Sequence, residues 1–314
     1  MKDKTKPLFH WFVDCATGKE LIFALYTRPC RYGRCAFCAL PTMSEGGESV
    51  SAQDIEKQID FILSHYSEEQ IQKITKVSVY TASSSLDQEC LPTRSLLYLA
   101  LKVSDFPKLK LISMETRPEY VEDWELKMLK NVCGKKITLE IGIGYETHNQ
   151  KLRNEVLQKG LSIEKLKWLL GLLSENKAIL KAYLMLKPHF SLSETEGITE
   201  ANNGVQELYE LSQQFNLPIS IHLNTTYITE GCQLTDDMKK FGYEPPELSS
   251  VIKVVEYAKK LNMQIYLGLD DEGLAIEGGT FRSTGYDRAQ TVKALLAFNH
   301  HQDYEKLLHE IKTL

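Results

Sequence analysis

The chain has 314 residues, is 43 % hydrophobic and 25 % charged, and carries a formal net charge of −5. That balance is the composition of a globular protein of one large or two small domains, and it excludes a low-complexity or disulfide-scaffold class. No apolar run approaches the ~18 residues of a membrane span, and no apolar segment follows the charged start before Asp14, so the expectation is a cytoplasmic protein without a membrane partner.

Residues 1–20 read as a lead-in whose Phe9, Trp11 and Phe12 pack on the domain. Leu21–Thr27 is a short apolar strand, and Cys30, Cys35 and Cys38 follow it in a Cys-x4-Cys-x2-Cys loop. Five extended residues would part the first two cysteines by roughly 17 Å, so Gly33 is where the loop turns. Thiolates bind zinc and iron–sulfur clusters, and three local ligands leave one position of a four-ligand site open. A zinc knuckle short of one ligand, or three structural thiols, are the other readings of this loop. Seven cysteines without an export signal point to a reducing compartment; Cys15, Cys90, Cys133 and Cys232 are scattered and read as small packing residues.

Beyond Gly46-Gly47, Ser51 with Asp54 marks a helix start, and Ile55, Ile59 and Ile62 mark its buried face. Ile74–Tyr80 is a strand, followed by the polar loop from Thr81 to Asp87 and a helix over Thr93–Val103. The pattern repeats: strand Leu109–Glu115 and a helix with Val121, Trp124 and Met128 on one face; strand Ile137–Ile143 and a helix from about Ile163 to Glu175; strand Ile179–Leu186 and a helix, capped by Ser193 and Glu196, reaching Phe215; then strand Pro218–Leu223. Six strand–helix alternations argue for an α/β fold with parallel strands. They predict a partial (β/α)6 TIM-type barrel over residues 21–230. Residues 231–314, with a helix over Glu247–Leu261, a strand at Gln264–Leu267 and a terminal helix from about Ala289, read as a C-terminal α/β extension closing the barrel.

In such barrels the loops after the strands build the active site. Lys187 and His189 end one strand and are candidates to hold a phosphate or donate a proton; a solvent-facing pair is the alternative. His222 and Asn224 end the sixth strand and point into the cavity or into a hydrogen-bonded core. Asp270-Asp271-Glu272 resembles a magnesium site and equally an acidic turn. His300-His301 reads as helix surface. Gly142-Ile143-Gly144 is not a dinucleotide fingerprint, because Thr147 stands where the third glycine belongs. Residues 151–187 are locally basic although the protein is acidic, so an RNA-facing surface and a solvated helix both fit.

The cysteine loop, with Phe37 before its last cysteine and a strand before its first, resembles that of the radical S-adenosylmethionine (SAM) superfamily. Glu115-Thr116-Arg117-Pro118-Glu119 and Leu139–Glu146 are similar to segments of its Elongator-catalytic-subunit-like branch, and Asn154–Gly160 to that branch's Ile-Asn-Arg-Gly segment. Leu184–Phe190 and Tyr243-Glu244-Pro245-Pro246 resemble the radical subunit of archaeosine synthase, a tRNA-modifying enzyme. The likeness spans about residues 20–260.

The resemblance implies a [4Fe-4S] cluster on Cys30, Cys35 and Cys38, with SAM cleaved to a 5′-deoxyadenosyl radical that abstracts hydrogen from a nucleoside-type substrate, free or in tRNA. It implies that Phe37 packs on the adenine, and that Ser83, Ser84, Ser85, Glu115, Arg117, Glu146, Arg153 and Lys159 hold the rest of the cofactor. Lys187, His189 and His222, by their chemistry at the strand ends, are the candidate catalytic residues beside it, and the electron donor expected is of flavodoxin or ferredoxin type. A small-molecule biosynthetic substrate, or a non-catalytic zinc- or cluster-bound scaffold, are the alternatives.

Overall fold

The computed structural model describes residues 2–269 and 273–313; the acidic run Asp270-Asp271-Glu272 lies outside them. The strands are β1 (Phe9–Cys15), β2 (Gly18–Leu25), β3 (Ile74–Thr81), β4 (Leu111–Thr116), β5 (Thr138–Glu146), β6 (Ile179–Leu186), β7 (Ile219–Thr225) and β8 (Ile265–Gly268). They lie in the sheet in chain order. β1 is antiparallel to β2, whereas the pairs β2–β3, β3–β4, β4–β5 and β7–β8 are parallel. The principal helices are α1 (Ala52–Ser64), α2 (Thr93–Ser104), α3 (Asp123–Cys133), α4 (Ile163–Glu175), α5 (Glu194–Phe215), α6 (Gln233–Lys240), α7 (Leu248–Lys260), α8 (Arg288–His301) and α9 (Tyr304–Lys312). The expected α/β class, with alternating strands and helices, is the one observed.

The contacts divide the chain into two compact units. Met1–Gly33, Leu40–Ile143 and Lys165–Leu180 form the first, and Arg34–Ala39, Gly144–Glu164 and Lys181–Leu314 the second. In the first, Ile55, Ile59 and Ile62 of α1 are fully buried, with Leu21, Phe23 and Leu25 of β2 and Val77 and Val79 of β3. Ser51 and Asp54 close a reciprocal capping box at the start of α1. Ser193 and Glu196 do the same for α5 in the second unit, whose core includes Ala201, Val205 and Leu208 of α5, Ile221 and Leu223 of β7, and Val254 and Val255 of α7.

Three expectations need correction. The lead-in is not loosely packed chain: Phe9–Cys15 pairs along its whole length with β2. Phe9 (42 % exposed) and Trp11 (41 %) stack on each other, ring centroids 5.3 Å apart, while Phe12 is half-buried beside Tyr66. In α3 the buried face carries Glu125, Leu126, Leu129 and Cys133, and Trp124 and Met128 face solvent. The terminal helix is two helices, because Gln302 takes a left-handed conformation that ends α8.

Candidate functional site

The first unit holds the start of the cysteine loop. Gly33 has φ +55°, which only a residue without a Cβ adopts at no cost, so the sharp turn falls where expected. Arg31 clamps Asp87 through two hydrogen bonds, Nε to Oδ2 at 2.7 Å and a terminal nitrogen to Oδ1 at 2.6 Å. That fork-to-fork geometry holds the guanidinium pKa above its ordinary value. Tyr32 lies under the guanidinium of Arg117, 3.5 Å from its ring centroid, and Arg117 also donates to Glu119. The Cys90 thiol, close to the Pro29 carbonyl oxygen and Asp87 at 3.4 Å each, is a buttress.

The serine loop after β3 folds on itself. Ser85 donates its backbone N–H to the Glu115 carbonyl at 2.7 Å and its hydroxyl to the Val79 carbonyl at 3.2 Å. Ser84 and Ser85 are buried; Ser83 is half-buried, its hydroxyl 3.1 Å from that of Thr81. Glu115 is half-buried at the end of β4. Burial, followed by the neighbouring Glu115 and Glu20 carboxylates, pushes the Tyr80 hydroxyl well above its usual pKa.

In the second unit, the Cys38 backbone N–H donates to the Cys35 carbonyl at 3.2 Å, a turn that places the two cysteines three residues apart. Ala36 between them is pinned from both sides: its N–H donates to Leu157 at 3.0 Å and its carbonyl accepts from Leu234 at 2.8 Å. Ala36 is buried with Leu157, Met185, Leu234, Met238 and Tyr243, and Phe37 and Phe190 pack against this cluster. The backbone is thus held while Cys35 and Cys38 remain half-buried; Cys30, in the first unit, is half-buried as well. Among the described residues no three His, Cys, Asp or Glu side chains are gathered as a metal site.

Glu146 ends β5 with φ +67°, a strained conformation for a residue with a side chain. Its carboxylate accepts from Lys159 Nζ at 2.8 Å, and both side chains are nearly buried. Gly144 lies beneath this pair: a Cβ there would stand 2.0 Å from Glu146 Oε1 and 2.2 Å from Lys159 Nζ. The second glycine of Gly-Ile-Gly therefore makes room for an ion pair, not for a dinucleotide. Lys159 Nζ is 5.8 Å from the Phe37 ring centroid.

Arg153, in a π-helical turn over Leu152–Val156, is fully buried. Its guanidinium lies 4.6 Å from the Tyr145 ring centroid and donates to the His148 carbonyl at 3.3 Å, while Nε and the other terminal nitrogen have no partner. Two unsatisfied buried N–H groups are costly unless an acceptor arrives. These unpartnered donors of Arg153 suit a carboxylate-bearing ligand. Glu207 accepts from the Tyr145 hydroxyl, and Glu200 accepts from Thr147 Oγ1 at 2.6 Å, so α5 braces this segment.

Lys187, at φ +55°, is buried and engaged, donating to the Glu244 carbonyl at 2.8 Å and to Glu194 at 3.3 Å. Its own carbonyl accepts from the Tyr243 hydroxyl at 2.8 Å. Arg282, not singled out in the sequence, ties Glu194, Glu244 and Glu247 together; the three acids were legible only as part of an acidic segment. His189 is half-buried with Nδ1 2.7 Å from the Ser191 hydroxyl, and burial lowers its pKa. On β7, the His222 ring lies 5.0 Å from that of Tyr183.

The α/β arrangement is similar to that of a solved Elongator protein. Elp3 of Methanocaldococcus infernus superposes with a TM-score of 0.51 at 15 % identity, over 81 % of this chain and 61 % of that one, so the chain spans about three fifths of that structure. Among curated relatives, the chain is 29 % identical over 290 residues to an uncharacterised protein of Methanocaldococcus jannaschii, covering 89 % of this chain and 76 % of the relative. It is 25 % identical over 280 residues to archaeosine synthase subunit beta of Methanosarcina acetivorans, covering 84 % and 76 %. No family model matches the chain. The similarity to archaeosine synthase read from the motifs is met by the curated relatives of that name, and the solved Elongator protein shares the α/β fold. No helix among the described residues is long and apolar enough to cross a membrane.

Proposed function

We propose that this protein is a cytoplasmic radical SAM enzyme that abstracts hydrogen from a nucleoside-type substrate. The observation that carries the reading is the cysteine loop, pinned at Ala36 and turned at Gly33, with its three thiols left reachable. In this reading Cys30, Cys35 and Cys38 hold a [4Fe-4S] cluster that, when reduced by a flavodoxin- or ferredoxin-type donor, supplies the electron for reductive cleavage of SAM. Residues 21–230 form the cofactor-binding part and 231–314 the extension that completes the substrate side.

The chain's own residues do the rest. Phe37 offers the adenine an apolar face, and Arg153 brings two unpartnered N–H groups suited to a carboxylate. The resemblance assigns Ser83, Ser84, Ser85, Glu115 and Arg117 to the cofactor as well, and in the second unit Lys159 Nζ, paired with Glu146, lies 5.8 Å from the Phe37 ring centroid. Lys187 fixes the loop at Tyr243 and Glu244, while His189 and His222 are the titratable groups available to the substrate. The relatives named archaeosine synthase subunit beta favour a nucleoside in tRNA. The net charge of −5 favours a free nucleoside or a small contact with the RNA.

Anaerobic reconstitution with iron and sulfide tests the reading. Absorbance near 400 nm, and 5′-deoxyadenosine released on reduction with SAM, are expected, and Ala at Cys30, Cys35 or Cys38 should abolish both. A colourless protein that retains zinc after the same treatment would overturn it. Binding of bulk tRNA that weakens steeply with added salt would place the nucleoside in RNA.

A further inference from the structure

Strands in parallel sheets are ordinarily apolar on both faces. The second unit departs from that rule over β6, β7 and β8. Ala182 and Leu184, Ile221 and Leu223, and Ile265 and Leu267 are buried on one face. The alternate positions carry Lys181 and Tyr183 on β6, His222 and Asn224 on β7, and Tyr266 and Gly268 on β8. The register places His222 opposite Tyr266 and Asn224 opposite Gly268. Tyr183 and His222 meet ring to ring at 5.0 Å with their planes 31° apart, and Lys181 Nζ lies 4.8 Å from the Tyr183 ring centroid. Tyr183, His222, Asn224 and Tyr266 are half-buried, so this face is reachable.

Gly268 fits the arrangement: a Cβ there would stand 1.9 Å from Asn224 Oδ1 and 3.0 Å from His222 Nε2. The missing side chain lets the Asn224 carboxamide and the His222 ring lie directly against β8. The face therefore combines aromatic rings, a carboxamide with donors and an acceptor, an imidazole and a cation.

We propose that this face is a binding site for the heteroaromatic base of the substrate. Tyr183, His222 and Tyr266 supply ring faces, and Asn224 pairs with the donor and acceptor on the base edge. Flat rings recognise unstacked bases by their π-faces, and a carboxamide reads an adjacent donor and acceptor together. A purely apolar ligand would not use the donors and acceptor of the Asn224 carboxamide. The site uses none of the residues assigned to the adenine of SAM. It rests on the nucleoside reading above, yet it can be tested without cluster, reductant or turnover.

The test is saturation-transfer NMR and calorimetric titration of the full chain, without cluster, using the four ribonucleosides as probes and free ribose as control. At least one nucleoside should bind through protons of its base while ribose does not. Tyr183→Leu and Asn224→Ala should each weaken that binding about tenfold, whereas Tyr183→Phe should bind within twofold of the parent. SAM, added to the same mixture, should not displace the nucleoside. Absence of nucleoside binding at millimolar concentration, unchanged binding in Tyr183→Leu and Asn224→Ala, equal losses in Tyr183→Leu and Tyr183→Phe, or displacement by SAM would each overturn the proposal. Release of 5′-deoxyadenosine in the reconstitution experiment would be untouched by any of these outcomes, so the two readings fail separately.

Discussion

Burial separates the cysteines into two chemical groups. It pushes the Cys90 and Cys133 thiols up to about 11 each, with the Asp87 carboxylate adding to the effect at Cys90. A thiol whose folded pKa is raised holds its proton longer than in the unfolded chain. Its contribution to stability is complete below the unfolded value near 9 and is lost as pH rises from there towards 11. Denaturant midpoints should therefore fall through that alkaline window, less steeply in a Cys133→Ala variant. At pH 8, iodoacetamide should modify Cys30, Cys35 and Cys38 well before Cys90 and Cys133, as read by peptide mass mapping, because the latter are both buried and protonated. The Glu146–Lys159 pair makes a second prediction at this scale. Lys159→Ala leaves a carboxylate nearly buried without its cation and should cost about 3–5 kcal/mol in chemical denaturation. Glu146→Gln combined with Lys159→Met, which removes both charges, should recover most of that loss.

At the scale of elements, local signals were readable and distant ones were not. The capping boxes at Ser51 and Ser193 stood in the sequence because cap and third residue are neighbours in the chain. Ser193→Ala should lower stability by about 1 kcal/mol, seen as a lower melting temperature with unchanged secondary structure. The alternation of apolar strands and helices gave the α/β class for the same local reason. α3 was misread because it carries two apolar stripes of helical period. Leu126, Leu129 and Cys133 win the core, and Glu125 goes inside with them by accepting a hydrogen bond from Thr93, a residue far back in the chain. β1 escaped notice because both of its faces carry aromatic residues, so no polar alternation marks it, and its partner is supplied by the hairpin. The three cysteines and Gly33 were legible as a motif. The Arg31–Asp87 clamp, the Tyr183–His222 contact and the Arg282 network were not, since each joins residues dozens of positions apart.

For the whole molecule, the parts with the most specific motifs are also those held most firmly. Ala36 is hydrogen-bonded on both sides, Gly144 is reserved for an ion pair, and α5 braces the segment around Arg153 with two carboxylates. Rigid backbone around reachable side chains is what a cofactor site requires, because positioning is then settled before the ligand arrives.

The opening hairpin has a consequence of its own. β2 is buried along most of its length, and one of its two hydrogen-bonding edges is satisfied by β1. A chain shortened to begin at Gly18 would present that edge, with Leu21, Phe23 and Leu25 close behind it, as a template for self-assembly. Such a protein should come out of cells largely insoluble, and its soluble fraction should form concentration-dependent aggregates by light scattering. The longer chain should stay monodisperse under the same conditions.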